Sequence, residues 1–375
     1  MTAVQLESGR VTPHSAAVAV VLVNWNSGQD VIECLDSLLA QAYSNFHVFV
    51  VDNDSRDRSI EQIGEWCAAP RPQSGWCAHD GVARVTDRSP ITPITVRIVD
   101  RPDQALPPPR EGCQVTLIRS GGNLGFAGGC NVGIRAAGFG TYDFFWFLNT
   151  DTVVHQDALR ALTRRGQSDA RIGMIGSTLR YYDRPDVVQA LGGSLMETET
   201  LTTRHIGAGL RVDSPEINPA EVERRMFYIV GASMLVSRQF IQEIGLMQED
   251  YFLYYEEIDW AMRGRERFKL GYAAESHIFH KSGASSSKVL PAFTSNLYYR
   301  NRIRFVTRFF PERLGTVRRG LLIELLRHTV RGRWTHVRIV AATLWDSAKI
   351  TAQVREQDQR LRPNANSTQP QARGA

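Results

Sequence analysis

Apolar runs and helical stripes alternate along the first part of the chain. Residues 16–23 are an unbroken, β-rich apolar run, the pattern of a strand buried on both faces of a parallel sheet. After a polar turn at 24–28, residues 30–41 place Val31, Cys34, Leu35, Leu38 and Leu39 at helical spacing. A second apolar strand at 47–51 ends on Asp52-Asn53-Asp54-Ser55, and a helix follows through Glu65. This β-α-β-α order predicts an α/β fold with a wound, mostly parallel sheet flanked by helices. Ligands of such sheets sit beyond the carboxyl ends of the strands, where Asn24 and Asp52 stand.

The pattern breaks at 70–112, rich in Pro, Arg, Asp and Gln, which reads as a surface insertion with one short strand at 94–99. The sheet resumes at 115–118, followed by a glycine-rich turn at 121–129 and a helix at 130–137. A strongly apolar strand, 144–148, runs into Asn149-Thr150-Asp151, and a helix is expected at 156–165. Between 171 and 282 the pattern gives a strand-like run at 227–236, a helix at 238–245 and an aromatic-acidic cluster at 251–260. A helical stretch at 260–269 stops at Gly271, in the manner of a C-cap, and 273–279 is again strand-like. The expected organisation is a disordered N-terminus over 1–15, a main α/β domain over 16–290, a basic helical extension over 291–354 and a disordered polar tail over 355–375.

Composition narrows the class. The 375 residues are 43% hydrophobic and 22% charged, which excludes a disordered, collagenous or disulfide-stapled chain. Cys34, Cys67, Cys77, Cys113 and Cys130 show no CxxC pairing and read as reduced thiols of a cytoplasmic protein. The sequence shows neither a secretory leader nor an apolar window of about 18 residues, so no membrane span is expected. The net charge of +5 is uneven: residues 300–362 carry 15 Lys and Arg against 5 Asp and Glu, leaving the remainder slightly acidic. A basic region of this kind suits an anionic surface, either membrane or nucleic acid.

Several residues suit chemistry, each with a plainer alternative. Asp151, at the end of a buried strand, is placed either to hold Mg²⁺ or Mn²⁺ or to cap the next helix. The glycines of 121–129 would let backbone N–H groups approach a phosphate, or serve only a tight turn. Asp52 suits a hydrogen bond to a nucleobase or ribose, or an Asx turn with Ser55. Glu256, Glu257 and Asp259 favour the start of a helix through its dipole, yet three crowded carboxylates among aromatics also suit a general base. His280 follows an apolar strand and is either a metal ligand or a structural histidine.

Five motifs stand in order: Val-Leu-Val-Asn-Trp-Asn at 21–26, Val-Val-Asp-Asn-Asp-Ser at 50–55, Gly-Asn-Leu-Gly-Phe-Ala-Gly-Gly-Cys-Asn at 122–131, Leu-Asn-Thr-Asp at 148–151 and Tyr-Glu-Glu-Ile-Asp-Trp at 255–260. Together with Tyr298-Tyr299-Arg300-Asn301 they resemble the inverting nucleotide-sugar glycosyltransferases of family 2, of GT-A fold, in the bacterial rhamnosyltransferase-like branch that builds cell-surface polysaccharides. The resemblance runs from about Val18 to Arg308, apart from the 70–112 insertion.

That resemblance implies a donor site of Asn24, Asn26, Asp52, Asn123, Gly125, Asn131 and Asn149. It implies a divalent cation, Mg²⁺ or Mn²⁺, on Asp151 and His280, with Asn149 replacing the first acid of the DxD-type motif. It makes Glu257 the catalytic base, with Glu256 adjoining, and gives Asp259 and Trp260 to the acceptor. The implied partners are a nucleotide-sugar donor, with dTDP-rhamnose first, and a saccharide or lipid-linked acceptor. The chain would work in the cytoplasm with no nucleic-acid partner, and the alternation of Arg with Ile, Phe, Leu and Trp over 301–349 suits either the inner face of the membrane or a bundle helix with a solvated basic face. Self-association is left open. The alternatives are a nucleotidyltransferase, although Asn24-Trp25-Asn26 stands where its glycine loop and basic residue would follow the first strand, and a non-catalytic carbohydrate- or nucleotide-binding protein.

Overall fold

The structure is a computed structural model and describes residues 15–69, 94–102, 104–107, 113–197, 201–281 and 291–361. The first half is wound as the apolar pattern predicts. β1 (Val18–Asn24), α1 (Gly28–Leu39), β2 (Phe46–Asp52) and α2 (Ser59–Ala68) alternate, and β1 pairs in parallel with β2, bringing Asn24 level with Asp52. Within the 70–112 stretch, β3 (Thr95–Asp100) is the expected short strand; it lies in parallel on β4 (Cys113–Arg119) and forms one edge of the sheet. Residues 70–93 fall outside the described residues.

α3 (Gly125–Ala137) begins inside the stretch expected to be a turn, because that stretch packs tightly rather than staying open. A Cβ on Gly129 or Gly133 would lie about 2.6 or 2.5 Å from Val23 or Val21 of β1, so these glycines let the helix sit close on the sheet. β5 (Phe144–Leu148) and β6 (Thr152–Val154) follow, and α4 (Ala158–Gln167) starts after Asp157. Asp151 therefore does not cap that helix, since β6 intervenes.

β7 (Ile172–Tyr181), β8 (Val188–Leu191), β9 (Gly193–Glu197) and β10 (Thr202–His205) lead to α5 (Pro219–Arg225). The run at 227–236 is two strands rather than one. β11 (Tyr228–Ile229) joins β9 in a small sheet, while β12 (Ser233–Ser237) enters the main sheet antiparallel between β5 and β7. α6 (Arg238–Ile244) ends at Gly245 as expected. α7 (Glu256–Gly264) stops earlier than its period suggests, and Gly271 belongs to β13 (Lys269–His280). Long parallel pairing of β13 with β7 overrides the local helical pattern, and a side chain at Gly271 would crowd Ile172 at 2.9 Å.

The main sheet has ten strands in the order β3-β4-β2-β1-β5-β12-β7-β13-β6, with β8 on β7. α1, α2 and α4 supply the core on one face. The other face is covered by α3, α6 and α7 and by three C-terminal helices: α8 (Pro291–Phe309), α9 (Leu314–Val330) and α10 (Trp334–Leu361). Ile303, Phe305 and Val306 of α8 are fully buried, so the start of the basic region is part of the core. α10 runs past residue 355, where a polar tail was expected, and Asp358 pairs with Arg308 of α8 at 2.9 Å.

Candidate active site

The strand ends β1 and β2 build one wall. Asn24 is fully buried: its amide donates to Asp52 Oδ1 at 2.8 Å and to Ser55 Oγ at 3.1 Å, and its own oxygen accepts from the Ser27 N–H. Asn24 clips two turns together and aims Asp52. Asp52 forms the Asx turn, accepting from Ser55 N–H at 3.2 Å, and still lines a cleft of about 360 Å³ with Ser55, Arg101, Arg119 and Gly121. Asn26, in the left-handed region at φ 53°, accepts from the Arg56 N–H and so shapes the same turn.

At the helix start within the glycine stretch, three backbone donors are already engaged. Leu124 N–H donates to Asn53 Oδ1, Gly125 N–H to Asn123 Oδ1, and Phe126 N–H to the Phe252 carbonyl at 2.7 Å, so the N-terminal donors of α3 are already used. Gly125, at φ 71°, is a glycine because a Cβ there would lie 2.3 Å from the Phe252 carbonyl. Asn131 is likewise structural: it is buried, exchanging hydrogen bonds with the Met247 backbone and donating to Glu249. Exposed Asn123 and half-buried Asn149 keep access to the cleft side of the sheet.

Beyond β5, Asp151 and His280 come together although they lie far apart in sequence. β13 returns beside β6, and His280 Nε2 stands 3.3 Å from Asp151 Oδ1. His280 Nδ1 is 2.8 Å from Gln189 Oε1, an oxygen that only accepts. The proton of a neutral ring therefore sits on Nδ1, and the Nε2 lone pair faces the Asp151 carboxylate. An imidazole oriented by an outer partner is the usual form of a metal ligand, and a ring protonated on both nitrogens would pair with Asp151 directly. The pair fits Mg²⁺ or Mn²⁺. Among the described residues no third His, Cys, Asp or Glu completes the set, so substrate phosphates and water would supply the other ligands. Gln189 carries no motif and was not legible in the sequence.

Glu256 and Glu257 open α7 after a distorted loop. Phe252, Tyr254 and Tyr255 all have positive φ, at 62°, 69° and 77°, a conformation that costs a non-glycine residue about 1–3 kcal/mol. The side-chain amide of Asn301 on α8 holds this loop, donating to the carbonyls of Tyr251, Leu253 and Tyr254 at 2.7–2.9 Å. Asn301 holds this loop in a way the sequence does not reveal, since its partners lie about 50 residues away. Gly231 lies against Glu257, whose carboxyl would stand 3.9 Å from a Cβ there, and next to it Ala232 accepts from the Asn149 N–H. This brings Glu257 towards the carboxyl end of β5.

The two glutamates differ from ordinary surface acids. Burial first, and then the charge of Glu257, push the Glu256 carboxyl well above the usual range. Burial raises Glu257 to about 7, partly offset by backbone N–H groups at the helix start. One oxygen of each, Oε2, is buried without a hydrogen-bond partner among the described residues. Asp259 and Trp260, expected at the acceptor, are both buried. Asp259 is fully buried and paired with Arg263 at 2.7 Å and Arg308 at 2.8 Å, and Trp260 is fully buried with its indole N–H on the Gly245 carbonyl. Both fasten α7 to its neighbours.

Residues 19–76 match the family model described as Glycosyl transferase family 2. A curated relative, the low-salt glycan biosynthesis hexosyltransferase Agl10 of Haloferax volcanii, is 22% identical over 314 residues, 82% of this chain and 81% of that protein. Among solved structures, the mannosyltransferase PcManGT of Pyrobaculum calidifontis, in complex with GDP-Man and Mn²⁺, matches with a TM-score of 0.49 at 13% identity, covering 90% of this chain and 88% of that one. TarS 1–349 of S. aureus with UDP-GlcNAc matches with a TM-score of 0.46 at 12% identity, covering 92% of each chain. The family model thus covers the first βαβ unit, and the hexosyltransferase relative is similar along most of the length of this chain.

Proposed function

We propose that the protein is an inverting glycosyltransferase that moves a sugar from a nucleotide-diphosphate donor to a hydroxyl of a saccharide or lipid-linked acceptor, for a cell-surface polysaccharide. The observation that carries this reading is Glu257: a carboxyl raised by burial to about 7, with an unpartnered oxygen, beside the side-chain-free Gly231. Its carboxylate takes the proton of the acceptor hydroxyl as that oxygen bonds the anomeric carbon. The bond from that carbon to the diphosphate breaks on the opposite face, the nucleoside diphosphate leaves, and the configuration inverts. Typical general-base contributions are about 10²–10⁴-fold.

The cleft lined by Asp52 and Ser55 suits the nucleoside, with Asn123 and Asn149 on the donor side. Asp151 and His280 would hold a divalent cation, which supplies charge neutralisation on the leaving diphosphate. dTDP-rhamnose is the donor proposed first, from the resemblance of the five motifs. Release of nucleoside diphosphate from a panel of nucleotide sugars, with Mn²⁺, Mg²⁺ or EDTA and no acceptor, tests the reading. Slow release from one donor, lost in EDTA, is the expected result. No release and no thermal shift by any nucleotide would overturn it in favour of a non-catalytic protein.

A further inference from the structure

Between residues 314 and 349 the chain has seven basic and two acidic side chains, and both acids turn inward: Glu324 meets Arg302 at 3.2 Å and Asp346 meets Arg300 at 2.6 Å, both on α8. α9 is apolar on two sides. Leu314, Val317 and Leu321 enter the core, whereas Leu322, Ile323, Leu326 and Val330 are 51%, 45%, 66% and 88% exposed. Those four fall at successive turns of one outer stripe, with exposed Arg319 and Arg327 on the same helix. Trp334 is 62% exposed and continues the stripe beyond the exposed turn Arg331-Gly332-Arg333. Trp345 on α10, 89% exposed, stands between Arg338 and Lys349, which are exposed too.

A helix of a soluble domain hides one apolar stripe. A second stripe, dressed with arginine and tryptophan, has the composition of a helix lying in a lipid headgroup zone. A second copy of the chain would cover the apolar side chains equally well, but a two-fold contact would set the same positive charges against one another. Among the described residues no helix is long and apolar enough to cross a membrane.

We propose that α9 and the turn after it lie on an anionic lipid surface. Leu322, Ile323, Leu326, Val330 and Trp334 enter the acyl boundary, and Arg319, Arg327, Arg331 and Arg333 meet lipid phosphates. The contact belongs to 319–334, since residues 301–309 are occupied in the core. It deepens the reading of a lipid-linked acceptor, which would be met on that same surface.

The test is flotation of the full chain with vesicles of phosphatidylcholine, alone or mixed with phosphatidylglycerol. The wild type is expected to float with the anionic vesicles and to detach as salt rises. L326E/V330E is expected to stay behind, and each of R327Q and R331Q to weaken partition about fivefold. Donor hydrolysis in solution should be unchanged in all three variants. Absence of flotation with anionic vesicles, or equal flotation of L326E/V330E, would overturn the proposal. A wild-type dimer that L326E/V330E splits, without vesicle binding, would give the face to a second copy. Vesicle binding with no donor hydrolysis would instead overturn the transferase reading and leave the lipid surface standing.

Discussion

Within one helical turn of α7, three acids have different fates, and their surroundings separate them. Glu257 has an unpartnered oxygen and a value raised by burial to about 7, while Asp259 is fully buried and neutralised by two arginines. Glu257→Gln is therefore expected to abolish sugar transfer while donor binding, measured by calorimetry, stays within about twofold. Turnover retained in that variant would remove Glu257 from the mechanism. A base must be deprotonated, so wild-type transfer should rise as pH climbs through about 7. The linkage runs the other way for stability. A carboxyl whose folded value lies above its unfolded one, about 4.3, binds its proton more tightly in the fold. Stability from this group is complete below the unfolded value and declines as pH rises through the folded one, and Glu257→Gln should flatten that decline. Asp259→Ala is a different kind of lesion. It leaves Arg263 and Arg308 facing each other without their shared acid, which should cost about 3–5 kcal/mol and lower Tm by several degrees. An unchanged Tm with lost transfer would return Asp259 to the acceptor.

Between elements, the site depends on contacts that close over long loops. Asn301 of α8 holds a loop with three left-handed non-glycine residues, and that loop fixes where α7 begins. Asn301→Ala should lower kcat at least tenfold with the donor KM little changed. Asn301→Asp, which cannot donate to carbonyls, should be no better. If both variants lost kcat and donor affinity in proportion to a fall in Tm, Asn301 would be a fold residue only. Such contacts also mark where reading the sequence stops. The wound order of β1, α1, β2, α2 and β5 is legible because each has its own hydrophobic period. The termination of α7 at Gly264 is not, because pairing of β13 with β7 decides it. The glycines of 121–129 suggest a phosphate turn, but the Phe252 carbonyl that requires Gly125 to lack a Cβ comes from a distant loop. Asp151 and Glu257 are legible as residue types in motifs, and His280 as a histidine that ends an apolar strand. Asn24, Asn131, Asp259 and Trp260 are equally conspicuous in the sequence, and only their burial shows that they brace the site.

On the scale of the whole molecule, the basic C-terminal region is two things at once. Its charge is legible in composition, and its buried half is not, because arginines interleave with the apolar residues that would announce a core helix. Arg302 and Arg308 of α8 are almost fully buried, each with an acid: Arg302 with Glu324, and Arg308 with Asp259 and Asp358. Ile303, Phe305 and Val306 join the same core as Phe145 and Phe147 of β5. The sheet and α8 should therefore unfold as one unit. A chain ending at residue 361 is expected to give a single thermal transition and to hydrolyse donor like the full chain. A chain ending at residue 290 loses the Asn301 clamp, leaves Asp259 without Arg308 and exposes the face of the sheet that α8 covers. It should show no cooperative transition and no donor binding. If the shorter chain melted cooperatively and bound nucleotide, α8 to α10 would be a separable appendage, and the placement of Glu257 would have to be set by residues 16–290 alone.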